Sequence, residues 1–371
     1  MAFGSSWGVS KAYQAQVEGS SPSVGPTGEA VFPQTAPQLC RSMIYLFESV
    51  DNAAALPMVS NFITSLKPTY RKHSKLLNEY LRQKTADARL WAKEVGADIA
   101  VETATNTLDM MVARELRGED WMTDEEMRDE LYLYLIAGTE TSATTLSWWT
   151  KYMANHPEVQ YKLRRHVLER LPELQDRPPN FEDLSATNTP YLEAVVHETL
   201  RISRTAGGYA RETTSDVIIL GKRVPAGTTI IMPTVTGLED VENPIFSVPG
   251  VSASDATARS EALRNDREAS ATRRVGYWKS GTGRLFQPER WLTTDGQFDI
   301  NAGPSLPFSL GQRACFGKNL ALFELRLFMC VLNQHFFFEA LVPEQNSFEK
   351  FETITSHPRQ SFARPVPWPK E

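Results

Sequence analysis

The amino-acid sequence predicts a mainly α-helical fold with a minor β-sheet. Apolar residues recur at helical spacing over residues 41–120, and a longer run of the same kind covers residues 124–154. Short β-branched runs, separated by turn residues, cluster around residues 217–232. Of the 371 residues, 41% are hydrophobic and 23% are charged, a balance typical of a chain that folds around a packed core. We expect residues 1–371 to form a single domain.

Two stretches depart from this regular pattern. Residues 1–40 hold many Gly, Ser, Pro and Gln residues, and we expect a loop-rich start there. Residues 247–284 are polar, charged and rich in Ser and Ala, which indicates a surface insertion.

The longest predicted helix has clear signals at both ends. Thr123 is followed three residues later by Glu126, which is the spacing of a capping box. The helical pattern continues to residue 154, and Pro157 follows shortly after it. About 30 residues at ~1.5 Å each span roughly 45 Å, so we expect this helix to be buried along much of its length.

Three more helices are predicted further along the chain. They cover residues 158–170, 190–201 and 318–333. The second begins at Thr189 and Pro190, residue types that favour the N-cap and the first helical position. A glycine-rich loop at residues 303–317 leads into the last helix.

Charge and cysteine content exclude several classes of function. The net charge of −6 gives no basic surface, so we expect no nucleic-acid partner. Three cysteines far apart in sequence exclude a disulfide framework, and we interpret Cys40 and Cys330 as ordinary buried thiols in a reducing compartment. No apolar run reaches the ~18–20 residues that a transmembrane helix needs, and the first residues lack a signal-peptide pattern.

The strongest candidate for chemistry is Cys315, which lies just before the last predicted helix. A helix N-terminus presents unpaired N–H groups and a partial positive charge, which favours a thiolate. Gly311 and Gly317, on either side, permit tight turns and a close approach of a flat ligand to the backbone. Arg313 can bind an anionic group of such a ligand.

With Phe308 included, these residues complete the pattern Phe-x-x-Gly-x-Arg-x-Cys-x-Gly. The segment resembles the heme-binding loop of the cytochrome P-450 family. The resemblance implies that Cys315 is the axial ligand of a heme iron, that Arg313 pairs with a heme propionate and that Phe308 packs near the sulfur. The implied cofactor is thiolate-ligated heme b, and the implied fold is the cytochrome P-450 fold without its N-terminal part.

A second candidate segment lies in the middle of the longest helix. Gly138 is unfavourable in a helix interior by ~1 kcal/mol relative to Ala, and polar residues follow it. From the residues alone, this segment can equally be interpreted as a helix–helix contact lined by small side chains. Residues 137–142 are similar to the family's oxygen-activation motif, which implies that O₂ sits there and that Glu140 and Thr141 deliver protons.

A third candidate is the pair Glu198 and Arg201, which share one helix face. Such pairs are commonly solvated and worth ~0.3–0.5 kcal/mol. The pair also resembles the family's Glu-x-x-Arg motif, and Arg290 lies in a segment similar to the one whose arginine joins it. The resemblance implies a structural triad of Glu198, Arg201 and Arg290 that supports the heme loop. It also implies a contact between Arg211 and the other propionate.

Two competing motifs fail on spacing. A phosphate-binding loop at residues 311–318 would need one residue fewer between its glycines. A zinc-protease helix that begins at His197 would need a second histidine where Arg201 stands. With six histidines and no paired spacing, we expect no metal site other than the heme iron bound by Cys315.

The resemblance begins near residue 40, and the front of the family's pattern is missing. The Trp-x-x-x-Arg that grips the heme in family members has no match before residue 120. We therefore expect a truncated gene model, a splice product or a decayed copy. The full-length parent is expected on the cytoplasmic face of the endoplasmic-reticulum membrane, whereas this chain has no transmembrane segment.

The implied activity is that of a heme-thiolate monooxygenase, which inserts one oxygen atom of O₂ into a small apolar organic substrate. The style of the sequence resembles filamentous-fungal members from secondary-metabolite pathways. An NADPH-cytochrome reductase is the implied electron donor, with Arg313, Lys318 and Arg326 as docking residues or, equally, as a solvated charged face. The alternatives are an inactive remnant and a heme-thiolate isomerase or dehydratase, although Glu140 and Thr141 argue against an isomerase.

Overall fold

The structure of the chain, a computed structural model, divides into two compact units, Met1–Thr139 and Glu140–Glu371. Their boundary falls inside the longest helix. The residues that the structure describes are 7, 9–19, 21–32, 36–49, 57–119, 122–219, 221–233, 282–303, 305–352 and 355–369. Within them, no helix combines the length and the apolar character that a membrane crossing requires.

In its described residues, the first unit holds helices and one short strand pair. The elements are α1 Val9–Gly19, β1 Ser23–Val24, β2 Ala30–Val31, α2 Gln38–Glu48, α3 Pro57–Leu66, α4 Pro68–Val95, α5 Ala97–Thr103 and α6 Thr107–Arg117. The start of the longest helix, α7 Asp124–Asn155, completes the unit.

The core of the first unit forms along α4. Its buried residues recur every three or four positions, so they make one stripe on the helix. These residues are Leu77, Leu81, Thr85, Ala88 and Ala92. The stripe contributes to an apolar cluster with Val112 of α6 and Met127 of α7.

The predicted loop-rich start is wrong over Val9–Gly19, which is helical. Ala12, Gln14 and Ala15 have good helix propensity, and this outweighs the glycines on either side of the segment and the prolines that follow it. Between residues 21 and 32 the chain forms the antiparallel pair β1–β2. The predicted insertion at 247–284 lies outside the described residues except for 282–284.

Helix α7 confirms the predicted long helix and its capping box. The Thr123 hydroxyl donates to Glu126 Oε2 at 2.8 Å, and the Glu126 N–H donates back to the Thr123 hydroxyl at 3.2 Å. Residues 151–154 are buried, as predicted. Residues 137–139, in contrast, are exposed, so the expected burial is interrupted in the middle of the helix.

The second unit combines helices with short antiparallel strand pairs. After α7 come α8 Pro157–Arg170, α9 Pro190–Ser203, β3 Gly208–Glu212, β4 Val217–Ile219, β5 Lys222–Val224, β6 Thr229–Pro233, α10 Lys318–His335, β7 Phe337–Phe338, β8 Lys350–Glu352, β9 Ser356–Pro358 and β10 Pro365–Val366. The described pairs are β3–β6, β4–β5, β8–β9 and β7–β10. The mainly helical prediction with minor β-structure is confirmed, although these strands pair in twos.

Helix α9 lies at the centre of the second unit's core. All of its residues except Ile202 are buried, including both charged residues of the predicted Glu198–Arg201 pair. Trp149, Leu192 and Met329 bring α7, α9 and α10 into one apolar cluster. The core therefore surrounds a helix that carries charge, and those charges need partners inside the protein.

Candidate active site

The loop that precedes α10 turns sharply and exposes Cys315. Ser309 and Gly311 both have positive φ angles, 59° and 72°. The Cys315 N–H donates to the Phe308 carbonyl at 2.8 Å, which closes the loop around these turns. Residues 311–316 are all exposed. The loop thus presents its thiol at the surface of the second unit.

The start of α10 adjoins the cysteine, as the sequence predicts. Gly317 is the N-cap residue, and the Lys318 N–H donates to the Cys315 carbonyl at 3.4 Å. A Cβ on Gly317 would lie 4.0 Å from Cys315 Sγ. Glycine therefore leaves the space beside the sulfur open.

Tyr209 on β3 holds the same loop and was not identified from the sequence. Its hydroxyl donates to the Leu306 carbonyl and accepts from the Ser309 N–H at 3.3 Å. Burial raises the pKa of Tyr209, so the phenol stays protonated and remains a donor. Arg211, two residues along the strand, shares the face of Tyr209 and is exposed.

The three cysteines differ in environment. Burial on α10 raises the pKa of Cys330 to about 12, which keeps it an inert thiol. Burial also raises the pKa of Cys40, which is only half-buried rather than buried as predicted. Cys315 alone of the three is exposed, and exposure is what ligand binding by a thiolate requires.

The middle of α7 is open beside the predicted acid and hydroxyl. A Cβ on Gly138 would meet nothing within 4 Å. The Thr145 hydroxyl donates to the Thr141 carbonyl at 2.9 Å, a side-chain bond within the helix. Ser142 donates to Glu324 Oε2 of α10 at 3.1 Å, and this contact was not foreseen.

Glu140 lies on the same stretch of α7. Its carboxylate is 2.7 Å from Nε2 of His357 on β9, and the Thr355 hydroxyl donates to it at 3.4 Å. The side chain is 28% exposed, so the acid is neither fully solvated nor isolated.

The structure brings Glu198, Arg201 and Arg290 into contact. Arg201 donates to both carboxylate oxygens of Glu198, each at 2.8 Å. Arg290 donates to Glu198 Oε1 at 3.0 Å. The three side chains are 0%, 2% and 7% exposed, so this is a buried network and not a surface pair.

Further hydrogen bonds complete the network around Glu198. The Gln287 N–H and the Trp291 indole donate to its carboxylate at 2.8 and 2.9 Å. The guanidinium of Arg201 donates to the Gly283 carbonyl at 2.6 Å, and that of Arg290 to the Thr282 carbonyl at 2.8 Å. Each buried charge therefore has several polar partners.

Arg326 does not lie on a solvated or docking face, which corrects the prediction. Its guanidinium binds both carboxylate oxygens of Glu193 on α9, and its side chain is only 16% exposed. His197 contacts the same carboxylate at 3.1 Å. Burial by itself would raise the pKa of Glu193, but the hydrogen bonds from His197 and Arg326 outweigh it and lower the pKa to about 2.

Together, the exposed groups suit a flat, anionic ligand that accepts a sulfur donor. The thiol of Cys315 stands in an open loop, and the guanidinium groups of Arg313 and Arg211 are exposed in the same unit. In the described residues no cluster of His, Cys, Asp and Glu is arranged to hold a metal ion by itself. A thiol and two guanidinium groups are the kinds of group that can bind a heme iron and its propionates.

Comparison with known proteins gives a consistent result. The family model described as Cytochrome P450 matches residues 35–242 and 283–362. It leaves out 243–282, a stretch that overlaps the predicted insertion.

Three curated relatives are cytochrome P450 monooxygenases of fungi. The Hps1-dma1 cluster cytochrome P450 monooxygenase cyp3.1 of Dothistroma septosporum is 29% identical over 80% of this chain and 96% of its own length. The monooxygenase TRI13 of Fusarium sporotrichioides is 27% identical over 81% of this chain and 53% of its own. The monooxygenase xilC of Penicillium crustosum is 30% identical over 71% of this chain and 45% of its own.

The chain thus spans nearly all of the first relative and about half of the other two. The family implies a thiolate-ligated heme, O₂, an organic substrate and a redox partner. It confirms the prediction of an oxidoreductase of the monooxygenase class. The matched residues cover most of the sequence, including the cysteine loop and the α7 motif, and the chain belongs to the cytochrome P450 family.

Proposed function

We propose that this chain acts as a heme-thiolate monooxygenase that inserts one oxygen atom of O₂ into a small apolar organic substrate. The observation that carries the proposal is the exposed Cys315, held in a tight loop before α10. The relatives bear the name monooxygenase, and one name refers to a gene cluster, which supports a role in fungal secondary metabolism.

The proposed cofactor is heme b. Cys315 would supply its axial thiolate, Phe308 would pack near the sulfur, and Arg313 and Arg211 would bind the propionates. The space beside Gly317, next to the sulfur, is compatible with a flat group close to the backbone. When bound, a thiolate-ligated heme supplies the electron density that favours O–O cleavage.

Glu140 and Thr141 are proposed to deliver protons from α7. A carboxylate with a hydrogen-bonding partner can take up and release a proton, and a hydroxyl next to it can pass that proton on. Both residues are half-buried and follow the exposed residues 137–139, which supports this role, since a proton must reach the reacting oxygen from solvent.

The triad is proposed to act as support and not as chemistry. Glu198, Arg201 and Arg290 are buried, and the two arginines donate to backbone carbonyls of residues 282, 283 and 285, so the triad fixes this part of the chain. Their role in supporting the cysteine loop rests on the resemblance to the family.

The proposed electron donor is an NADPH-cytochrome reductase. Arg313 and Lys318 are exposed at the cysteine loop and the start of α10, which supports docking of an acidic surface there. The proposed location is the cytoplasmic face of the endoplasmic-reticulum membrane.

The test is the substitution Thr141→Ala in the heme-loaded chain with a reductase. We expect heme absorption to persist while the product formed per NADPH consumed falls several-fold, because the hydroxyl that passes the proton is gone. Thr150→Ala is the matched control, since Thr150 is on the same helix and donates only within it at 2.9 Å. Unchanged coupling in Thr141→Ala, or peroxide rearrangement without NADPH, would contradict the proposal.

A further inference from the structure

A histidine far away in sequence contacts the acid of the α7 motif. His357 Nε2 is 2.7 Å from Glu140 Oε1, and the same ring's Nδ1 is 3.1 Å from the Thr144 hydroxyl. Glu140 and Thr144 are four residues apart, so they lie one above the other on one face of α7. The imidazole therefore bridges two successive turns of the helix.

The contact at Nε2 decides which ring nitrogen carries the proton. A carboxylate only accepts hydrogen bonds, so Nε2 must be the donor to Glu140. Nδ1 is then free to accept from the Thr144 hydroxyl in the neutral ring, or to donate to it in the charged ring. The Thr355 hydroxyl lies 2.7 Å from Nε2, so it contacts the same ring nitrogen as Glu140. In either charge state, the ring donates to Glu140.

The strand that carries the histidine is fixed to α7. The Trp148 indole donates to the Ser356 carbonyl at 2.7 Å, and the Ser356 N–H donates to the Thr205 carbonyl at 3.0 Å. The ring of Phe351 on β8 stacks on the His357 imidazole, with centroids 5.0 Å apart and planes 12° apart. The hydrogen-bonded strand and the stacked Phe351 ring therefore hold the imidazole in position.

Other charged groups near β9 have partners of their own. Lys350 pairs with Glu352 on β8, and Arg359 pairs with Glu349 at 3.3 Å. Glu140 is the carboxylate that His357 contacts. Partial burial strengthens this contact, because the two side chains are only 20% and 28% exposed.

We propose that His357 is a positioning residue for Glu140. By donating from Nε2, it holds the carboxylate in one orientation on α7. This inference rests on the proposed role of Glu140 in proton delivery. It extends that role to a residue outside the motif, brought there by the β8–β9 pair.

The first experiment is a double-mutant cycle on coupling, measured as product formed per NADPH consumed by the heme-loaded chain with a reductase. His357→Phe keeps a planar ring but removes the donor, and we expect coupling to fall several-fold. His357→Gln retains an amide donor and should recover part of the loss. In the Glu140→Gln background, His357→Phe should have no further effect, because the group on which it acts is already changed.

His156→Phe is the matched control. His156 contacts Glu158 at 3.0 Å on the surface, so it forms another histidine–glutamate pair away from the motif. Its substitution should leave coupling unchanged. An equal loss in His156→Phe, or an additive loss when His357→Phe is combined with Glu140→Gln, would overturn the inference.

A second readout does not depend on turnover. In the reduced, carbon monoxide-bound protein, which is diamagnetic, ¹⁵N-histidine NMR should show His357 protonated at Nε2. His357→Gln removes that resonance, and Glu140→Gln should shift it, whereas His156→Gln should not. Protonation at Nδ1 alone, or a resonance that Glu140→Gln leaves unmoved, would contradict the contact.

The outcomes also separate the inference from the function on which it rests. If Glu140→Gln leaves coupling unchanged, the proton-delivery role fails and the inference fails with it. If Glu140→Gln uncouples the enzyme while His357→Phe does not, only the positioning role fails. If His357→Phe does not fold, His357→Gln and the NMR readout still decide.

Discussion

The buried triad and the cysteine loop belong to the same unit, but they differ in the burial of their polar groups and in what those groups bind. Glu198 is fully buried and accepts hydrogen bonds from two arginines, an indole and a backbone N–H. In the cysteine loop, by contrast, residues 311–316 are all exposed. One site is complete within the protein, and the other presents its groups outward.

The difference follows from the cost of burying charge. A buried ion without partners costs several kcal/mol, so the triad must be fully paired within the chain. An exposed thiol and guanidinium have no such requirement and can bind a ligand. We therefore expect substitutions in the triad to act on stability, and substitutions in the loop to act on the cofactor.

The largest expected effect is that of Glu198→Gln. This substitution removes the negative charge between Arg201 and Arg290, and we expect a loss of about 3–5 kcal/mol in the free energy of unfolding. Urea unfolding measures it. Asp216→Asn is the control, since Asp216 pairs with an arginine at an exposed site and its substitution should cost less than about 0.5 kcal/mol. Equal losses would contradict the comparison.

A second buried pair should make stability depend on pH. Because the pKa of Glu193 is lowered to about 2 in the folded chain, its contribution is present above the unfolded value of about 4.3 and is lost as pH falls toward 2. The expected contribution is on the order of 3 kcal/mol. In Glu193→Gln, the unfolding free energy should fall less steeply as the pH decreases. An unchanged fall would show that other groups cause the acid dependence.

The smallest expected effect is that of Tyr209→Phe, which removes the hydroxyl that bonds Leu306 and Ser309. We expect a loss of about 1 kcal/mol in unfolding free energy and faster release of bound heme, because the cysteine loop loses an anchor. Tyr161→Phe, at an exposed site, is the control. A heme release rate equal to that of this control would contradict the role of Tyr209 as an anchor of the cysteine loop.

Local signals in the sequence predicted most of the helices. The capping box at Thr123 and the proline at the first position of α9 lie within a few residues of the helix ends they define. Helix α1 was missed because its flanking glycines and prolines dominate the composition. Strand β3 was missed because five residues with one aromatic carry little periodic signal.

The site was only partly predictable for a related reason. The cysteine loop and the Glu198–Arg201 pair are defined by fixed spacing, which a sequence displays directly. Tyr209 and His357 reach their partners across 97 and 217 residues, and no spacing rule reports such contacts. The prediction for Arg326 was wrong for the same reason, because its partner Glu193 lies 133 residues away.

The most direct test of the central claim is the absorption spectrum of the purified, heme-loaded chain in its reduced, carbon monoxide-bound form. We predict a strongly red-shifted Soret band, as thiolate ligation gives, and its loss in Cys315→Ala. Because Cys315 is exposed, that substitution should change the unfolding free energy of the heme-free chain by less than about 0.5 kcal/mol. A band without the red shift in the unaltered chain, or a red-shifted band retained in Cys315→Ala, would contradict the account.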